Sequence, residues 1–295
     1  FFPAKGFFKT MNTALDCIPC LVRSALDAAR LFTDDPAVHE RIVREVLETT
    51  AGMDLSIRPP LMAQRIHRRL RELTGNGDPY GPAKVRFNAL AAELLPALEA
   101  ELDAAADPFN MAVRLAIAGN IIDLGPNLHL SEAHIRASLE QALATPLDGD
   151  SDAFRREIDA AREILYLADN AGEIYFDRPL LKRLPEGRVT VAVRGLPVLN
   201  DATLKDAREA GLHELARLMD NGSDAPGTVI EDCHDAFRAA FESADLLIAK
   251  GQGNFETLIG CGRPVWYLFK AKCAVVAREV GKPLNTHLLM REPQG

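Results

Sequence analysis

Three apolar stretches in the second half of this 295-residue chain end in residues able to do chemistry. Glu163–Ala168 runs into Asp169-Asn170-Ala171-Gly172-Glu173, Arg188–Val193 into a segment closing on Asn200-Asp201, and Asp245–Ala249 into Lys250-Gly251-Gln252-Gly253-Asn254-Phe255-Glu256. Asp169, Asn170 and Asp201 together offer two carboxylates and a neutral carbonyl. Hard oxygen donors of this kind suit Mg²⁺ or Mn²⁺ better than zinc and leave positions for water and a substrate phosphate. Either aspartate alone is equally well explained as a helix cap, but their matched positions after consecutive strands favour a shared site. Lys250 can present a point charge beside a loop whose backbone N–H groups approach an anion. The loop is neither a dinucleotide fingerprint, since Glu256 takes the third glycine position, nor a P-loop, where the lysine follows the glycines. Taken alone it reads as a turn with a surface lysine.

Further candidates are scattered along the chain. Asn120 and Asp123, three residues apart, share a helix face among apolar neighbours, where two polar groups without partners would cost several kcal/mol. They therefore face something polar, or they cap a helix ahead of Gly125-Pro126. Gly251, Asn254 and Glu256 after the fourth strand, and Ser223 in the turn-rich loop after the third, complete the candidate substrate-binding set. Cys17-Ile18-Pro19-Cys20 has metal-ligand or redox spacing, with Cys273 able to join in space, yet two thiols on one helix also serve as small apolar core residues. The seven histidines form no metal-binding helix pair, and no Gly-x-Ser-x-Gly elbow occurs.

These residues need elements to hold them. From Asp16 to about Leu143 the periodicity is helical: Leu21, Ala25, Ala28 and Phe32 share a face, Asp16 is placed to cap, and Pro96 is expected to kink or divide the stretch from Ala83 to Ala106. Past the polar Pro146–Asp150 turn, short apolar runs at Glu163–Ala168, Arg188–Val193, Leu215–Met219, Asp245–Ala249 and Val265–Phe269 alternate with helical segments, Trp266 among the core positions. The expected fold is α/β, a three-layer α/β/α core with a mainly parallel sheet over residues 151–295, preceded by a helical domain over residues 11–150. In such sheets ligands collect beyond the carboxyl ends of the strands, where the candidates lie.

Composition narrows the class. With 47% hydrophobic and 26% charged residues the chain is that of a folded globular protein. Thirty-four basic against 42 acidic side chains argue against a sequence-independent hold on nucleic acid or an anionic membrane. No apolar run reaches the length of a membrane helix, and the opening FFPAKGFFKT does not read as a secretory signal. Five cysteines, an odd and sparse set, fit a reducing cytoplasm.

The motifs, in their order, resemble the damage-control metal phosphatases, long catalogued as domain of unknown function family 89. The matching text is Cys17-x-x-Cys20, Asp78-Pro79-Tyr80, Gly119-Asn120-x-x-Asp123, Asp169 to Glu173, Arg194-Gly195-x-Pro197-x-x-Asn200-Asp201, Gly222 to Gly227, Lys250-Gly251-x-Gly253-Asn254 and Lys270-Ala271-Lys272-Cys273. The Cys-x-x-Cys segment looks like the stand-alone, largely prokaryotic branch. The resemblance implies a divalent metal, Mg or Mn with Co or Ni as alternatives, held by Asp169, Asn170 and Asp201, and a phosphate pocket lined by Asn120, Asp123 and Lys250. The implied activity is hydrolysis of small phosphomonoesters such as sugar phosphates, nucleotides or damaged phosphometabolites. Asp169 or Asp123 would act as nucleophile or as base for a water, with Lys250 neutralising phosphoryl charge. Two rivals are an S-adenosylmethionine-dependent carboxyl methyltransferase, for which the single glycine of Ala168–Gly172 is a poor cofactor loop, and a phosphometabolite-binding protein without turnover.

Overall fold

A computed structural model describes residues 10–75, 77–119 and 132–292. Asn120 and Asp123 lie outside them. Six helices precede the main run of strands: α1 (Cys17–Phe32), α2 (Pro36–Ala51), α3 (Pro59–Thr74), α4 (Gly81–Asp103), α5 (Pro108–Ala118) and α6 (Glu132–Ala144). Local chemistry sets their ends. Asp35 accepts from the Ala37 N–H at 2.9 Å to open α2. Pro59 and Pro60 start α3, and Gly75 ends it in the left-handed region at φ 68°. Small residues on α1, Ala25, Ala28 and Ala29, let it approach α2 and α3 around Ile42, Val46, Met62, Ile66 and Leu70.

One local expectation fails here, and a second fails in its stronger form. Asp16 makes no capping bond; its carboxylate pairs with Arg278 at 2.7 Å. Pro96 does not divide α4, because it sits on the exposed side while Leu94, Leu95, Leu98 and Leu102 are buried along the helix. The carbonyl that Pro96 leaves unpaired can then bond water, and burial outweighs the one lost bond.

The sheet has order β1-β7-β6-β5-β2-β3-β4, with β1 Leu147–Gly149, β2 Ile164–Leu167, β3 Val189–Val193, β4 Arg217–Asp220, β5 Leu246–Lys250, β6 Val265–Lys270 and β7 His287–Arg291. It is parallel except for β6 against β7. The five expected strands are present, whereas β1 and β7 were not expected. β1 lies on the helical side of the 150/151 boundary and pairs with β7. Helices α7 (Ser151–Ala160), α8 (Glu173–Leu181) and α9 (Leu204–Glu209) join α4 and α5 on one face of the sheet; α10 (Asp235–Ser243), α11 (Gly251–Leu258) and α12 (Ala274–Glu279) cover the other. The strand order reverses between β2 and β5, so the chain leaves their carboxyl ends in opposite directions and opens a crevice there. The α1–α3 cluster reaches this crevice by packing α3 on α11.

Candidate functional site

The loops after β2 and β3 are stitched together by backbone. Ala202 N–H donates to the Asp169 carbonyl at 2.8 Å, Ala171 N–H donates to Asn200 O at 2.8 Å, and Asn170 and Asp201 form an isolated antiparallel bridge. Asp201, from the next strand's loop, is thereby fixed beside the adjacent Asp169 and Asn170. The start of α11 closes on them: Gly251 has φ 77°, and a Cβ there would fall 1.8 Å from Asp169 Oδ2. Only glycine allows that backbone shape and that approach.

Asp169 is 8% exposed and Asp201 is 3% exposed. Asn170 Nδ2 donates to Asp169 Oδ2 at 3.0 Å and to Glu173 Oε2 at 2.9 Å. Arg194, itself buried, donates from Nε to Asp201 Oδ2 at 2.6 Å and approaches Asp169 Oδ1 at 3.7 Å through Nη2. Burial first, then the negative charges of Glu173 and Asp201, push the Asp169 carboxyl well above the usual range. Burial also raises Asp201, against the pull of Arg194. Desolvation and like charge outweigh the pull of the nearby cations here.

Lys250 is not at the cavity. It shares the alternating face of Leu246 and Ile248, which points at the α8 layer, and its fully buried ammonium contacts Glu173 Oε1 at 2.7 Å and Asp177 Oδ1 at 2.6 Å. Burial works against its charge, but Asp177 and Glu173 outweigh that and hold its pKa above the ordinary value. Asp177 is raised to about 6 by burial, against Lys250.

Beside the aspartates lies a cavity of about 540 Å³. Asp169, Asn170, Asn200 and Asp201 line one part, with Gln252, Gly253, Glu256, Lys272 and Cys273 nearby and Leu21, Pro59, Pro60 and Ala63 forming an apolar wall. The lysine that faces this space is half-buried Lys272, close enough to Asp169 to draw its carboxyl back down. Asn200 is 8% exposed, and its buried Nδ2 has no hydrogen-bond partner among the described residues. Glu256 accepts from Gln252 at 2.9 Å, and burial lifts its carboxyl to about 7. Cys17 and Cys20 are on the wall as well, the first half-buried and the second exposed, which displaces their reading as apolar core.

Of the sequence candidates, Asp169, Asn170, Asp201 and Glu256 thus share one cavity, and Gly251 packs against Asp169. Asn254 is fully buried: its amide nitrogen ties the Ala168 and Lys250 carbonyls at 3.2 and 2.7 Å, and its oxygen accepts from Thr228. It fastens β2 to β5 and presents no free end to a ligand. Ser223 lies off the cavity, donating to Asp232 at 2.6 Å and accepting from the Ala225 N–H within its own loop. That loop is anchored by Asp224, which accepts from Gln64, Arg68 and Arg71 of α3. Arg194, Asn200 and Lys272 carried no assigned role in the sequence reading. The signal for Arg194 was the one used for Asp169 and Lys250, a charged residue ending a buried strand.

A divalent cation fits this donor set. Counting only Asp, Glu, His and Cys, no three side chains among the described residues converge on one ion, but the Asn170 carboxamide lies beside both aspartates and adds an oxygen donor of another type. Its nitrogen is committed to Asp169 and Glu173, which leaves the carbonyl end for other work. The two raised carboxyls are the kind of pair that a cation relieves.

Residues 13–288 match the model of the damage-control phosphatase ARMT1-like domain. A damage-control phosphatase of Archaeoglobus fulgidus is 37% identical over 272 residues, 90% of this chain and 94% of that protein. One of Pyrococcus horikoshii is 32% identical over 288 residues, 95% and 98% of the two chains. The crystal structure of a DUF89 family protein from Pyrococcus horikoshii superposes with a TM-score of 0.86 at 30% identity, covering 96% of this chain and 100% of that one.

Proposed function

The chain belongs to the damage-control phosphatase ARMT1-like family, and from that premise we propose that it is a metal-dependent phosphatase acting on small phosphomonoesters. The observation that carries the reading is the juxtaposition, on one cavity, of the carboxylate-carboxamide set Asp169, Asn170 and Asp201 with the ammonium of Lys272 and the unpartnered amide of Asn200. Asp169, Asn170 and Asp201 would hold the cation, Mg or Mn with Co and Ni as alternatives, and when bound it supplies Lewis-acid polarisation of a phosphoryl oxygen.

The chain's own residues divide the remaining work. Lys272 places a positive charge against the phosphoryl group, and Asn200 Nδ2 donates to one of its oxygens. Arg194 fixes Asp201 from behind. Glu256, uncharged up to about pH 7, offers both a donor and an acceptor to a hydroxyl of the alcohol portion. The wall of Leu21, Pro59, Pro60 and Ala63 excludes water from the bound ester. Attack on phosphorus falls to Asp169, to Asp123, or to a water that one of them deprotonates. A volume of about 540 Å³ suits a sugar phosphate or a nucleotide.

Phosphate release from a panel of sugar phosphates and nucleotides, assayed with Mg²⁺, Mn²⁺, Co²⁺ and Ni²⁺, tests the reading. Metal-stimulated turnover that Asp169→Asn cuts by about 10²–10³ is expected. Binding of the panel without phosphate release under any metal would instead make the protein a phosphometabolite sensor.

A further inference from the structure

Three thiols face the cavity, and the phosphatase reading uses none of them. Cys17 and Cys20 occupy the first turn of α1, and Cys273 precedes α12. Cys273 Sγ accepts the Gln252 amide at 3.5 Å and the Val276 N–H at 3.4 Å. None of the five cysteines is in a disulfide. A second metal is not supported, since no three donors converge among the described residues.

Residues i and i+3 of a helix hold their Cβ atoms roughly 5–6 Å apart. A disulfide requires about 3.5–4.5 Å. The first turn of α1 is where the backbone can yield that difference: its N–H groups have no acceptor within the helix, and those of Cys17 and Ile18 bond instead to the Ala14 and Leu15 carbonyls of the preceding turn. Pro19, between the two cysteines, has no N–H to lose, and Asp16 makes no capping bond. Cys20 is exposed and so reachable by an oxidant, with Cys17 half-buried one turn behind it. A bond to Cys273 would instead pull that sulfur off Gln252 and Val276.

We propose that Cys17 and Cys20 form a reversible dithiol–disulfide pair in the cavity wall, a site of oxidation by peroxides that makes the cavity redox-sensitive. The Cys20 thiolate attacks the O–O bond of hydrogen peroxide, giving a sulfenic acid and, after protonation of the leaving hydroxide, one water. The Cys17 sulfur then displaces the sulfenic hydroxyl, which leaves as a second water, and the S–S bond forms. Two thiols and one peroxide thus give one disulfide and two waters, and a reducing dithiol reverses the change. The bond re-forms the first turn of α1, which carries Asp16 and Leu21 on the same wall.

The test uses the full chain treated with hydrogen peroxide, alkylated and digested for mass spectrometry. The expected product is a peptide holding Cys17 and Cys20 lighter by two hydrogens, about 2 Da, and restored by dithiothreitol. It persists in Cys273→Ser and is absent in Cys20→Ser. A Cys17–Cys273 or Cys20–Cys273 link, or oxidation that stops at sulfenic acid, overturns the pairing. Redox sensitivity of the cavity rests on the phosphatase reading and is measured separately: KM is expected to differ between reduced and oxidised protein, and identical KM and kcat overturn it. Peptide chemistry decides the pairing even if the protein hydrolyses nothing.

Discussion

Two buried ionic clusters lie side by side at the ends of β2 and β5, and they differ in what surrounds them. In one, Lys250 is enclosed by Glu173 and Asp177 with no exposure at all. In the other, Asp169 and Asp201 share Arg194 but open onto a cavity that also holds Lys272. Asn170 joins the clusters by donating to Asp169 and Glu173. A charge enclosed by its partners is read as structure, whereas buried carboxylates with raised pKa values beside open space are the candidate site.

The sharpest way to break that contrast is Lys250→Met. It leaves Glu173 and Asp177 buried without their cation, and removal of one partner of such a cluster costs about 3–5 kcal/mol. Chemical denaturation is expected to show a lowered midpoint of that order. Unchanged stability with a collapse in kcat would move Lys250 back to the phosphate.

Next comes Asp169→Asn, which acts on the open cluster. Loss of one preorganised charged group is expected to cut phosphate release by about 10²–10³, with the denaturation midpoint held or raised because a like-charge repulsion disappears. Asp201 is the poorer probe, since its removal strips Arg194 of its 2.6 Å partner.

A third measurement follows Glu256 with pH. Its folded value of about 7 lies above the ordinary 4.5, so the folded state binds the extra proton, and stability falls as pH rises from about 4.5 through about 7. Glu256→Gln lacks that slope. The stability gap between variant and wild type is expected to change by up to about 3 kcal/mol between pH 4.5 and 8 in the variant's favour, read by urea titration at each pH.

The smallest effect is expected at Lys272→Gln, which loses a charged hydrogen bond of about 1.5–3 kcal/mol from the bound ester. Weaker substrate binding, read by calorimetry, would place Lys272 with the site and apart from the Lys250 cluster.

Much of this was legible in the residues. Buried parallel strands announce themselves as β-branched and apolar runs, and their polar endings located Asp169, Asn170 and Asp201. β1 was too short, at three residues, to show a period, and β7 has α12 before it but no helix after it among the described residues. The placement of Lys250 away from the cavity has a physical cause: a strand buried on both faces carries no alternation to tell which layer its last side chain enters, and here that layer holds α8. Lys272 escaped assignment because its position depends on how the chain turns after β6. Asn200 depended on the bridge between two loops, which no local pattern encodes.

The central claim is that the open carboxylates are a cation site. Anomalous scattering from crystals soaked in Mn²⁺ tests it most directly. One peak bounded by Asp169, Asn170 and Asp201, absent in Asp169→Asn, is predicted; a peak confined to the thiols of Cys17, Cys20 and Cys273, or none beside the aspartates, would contradict it.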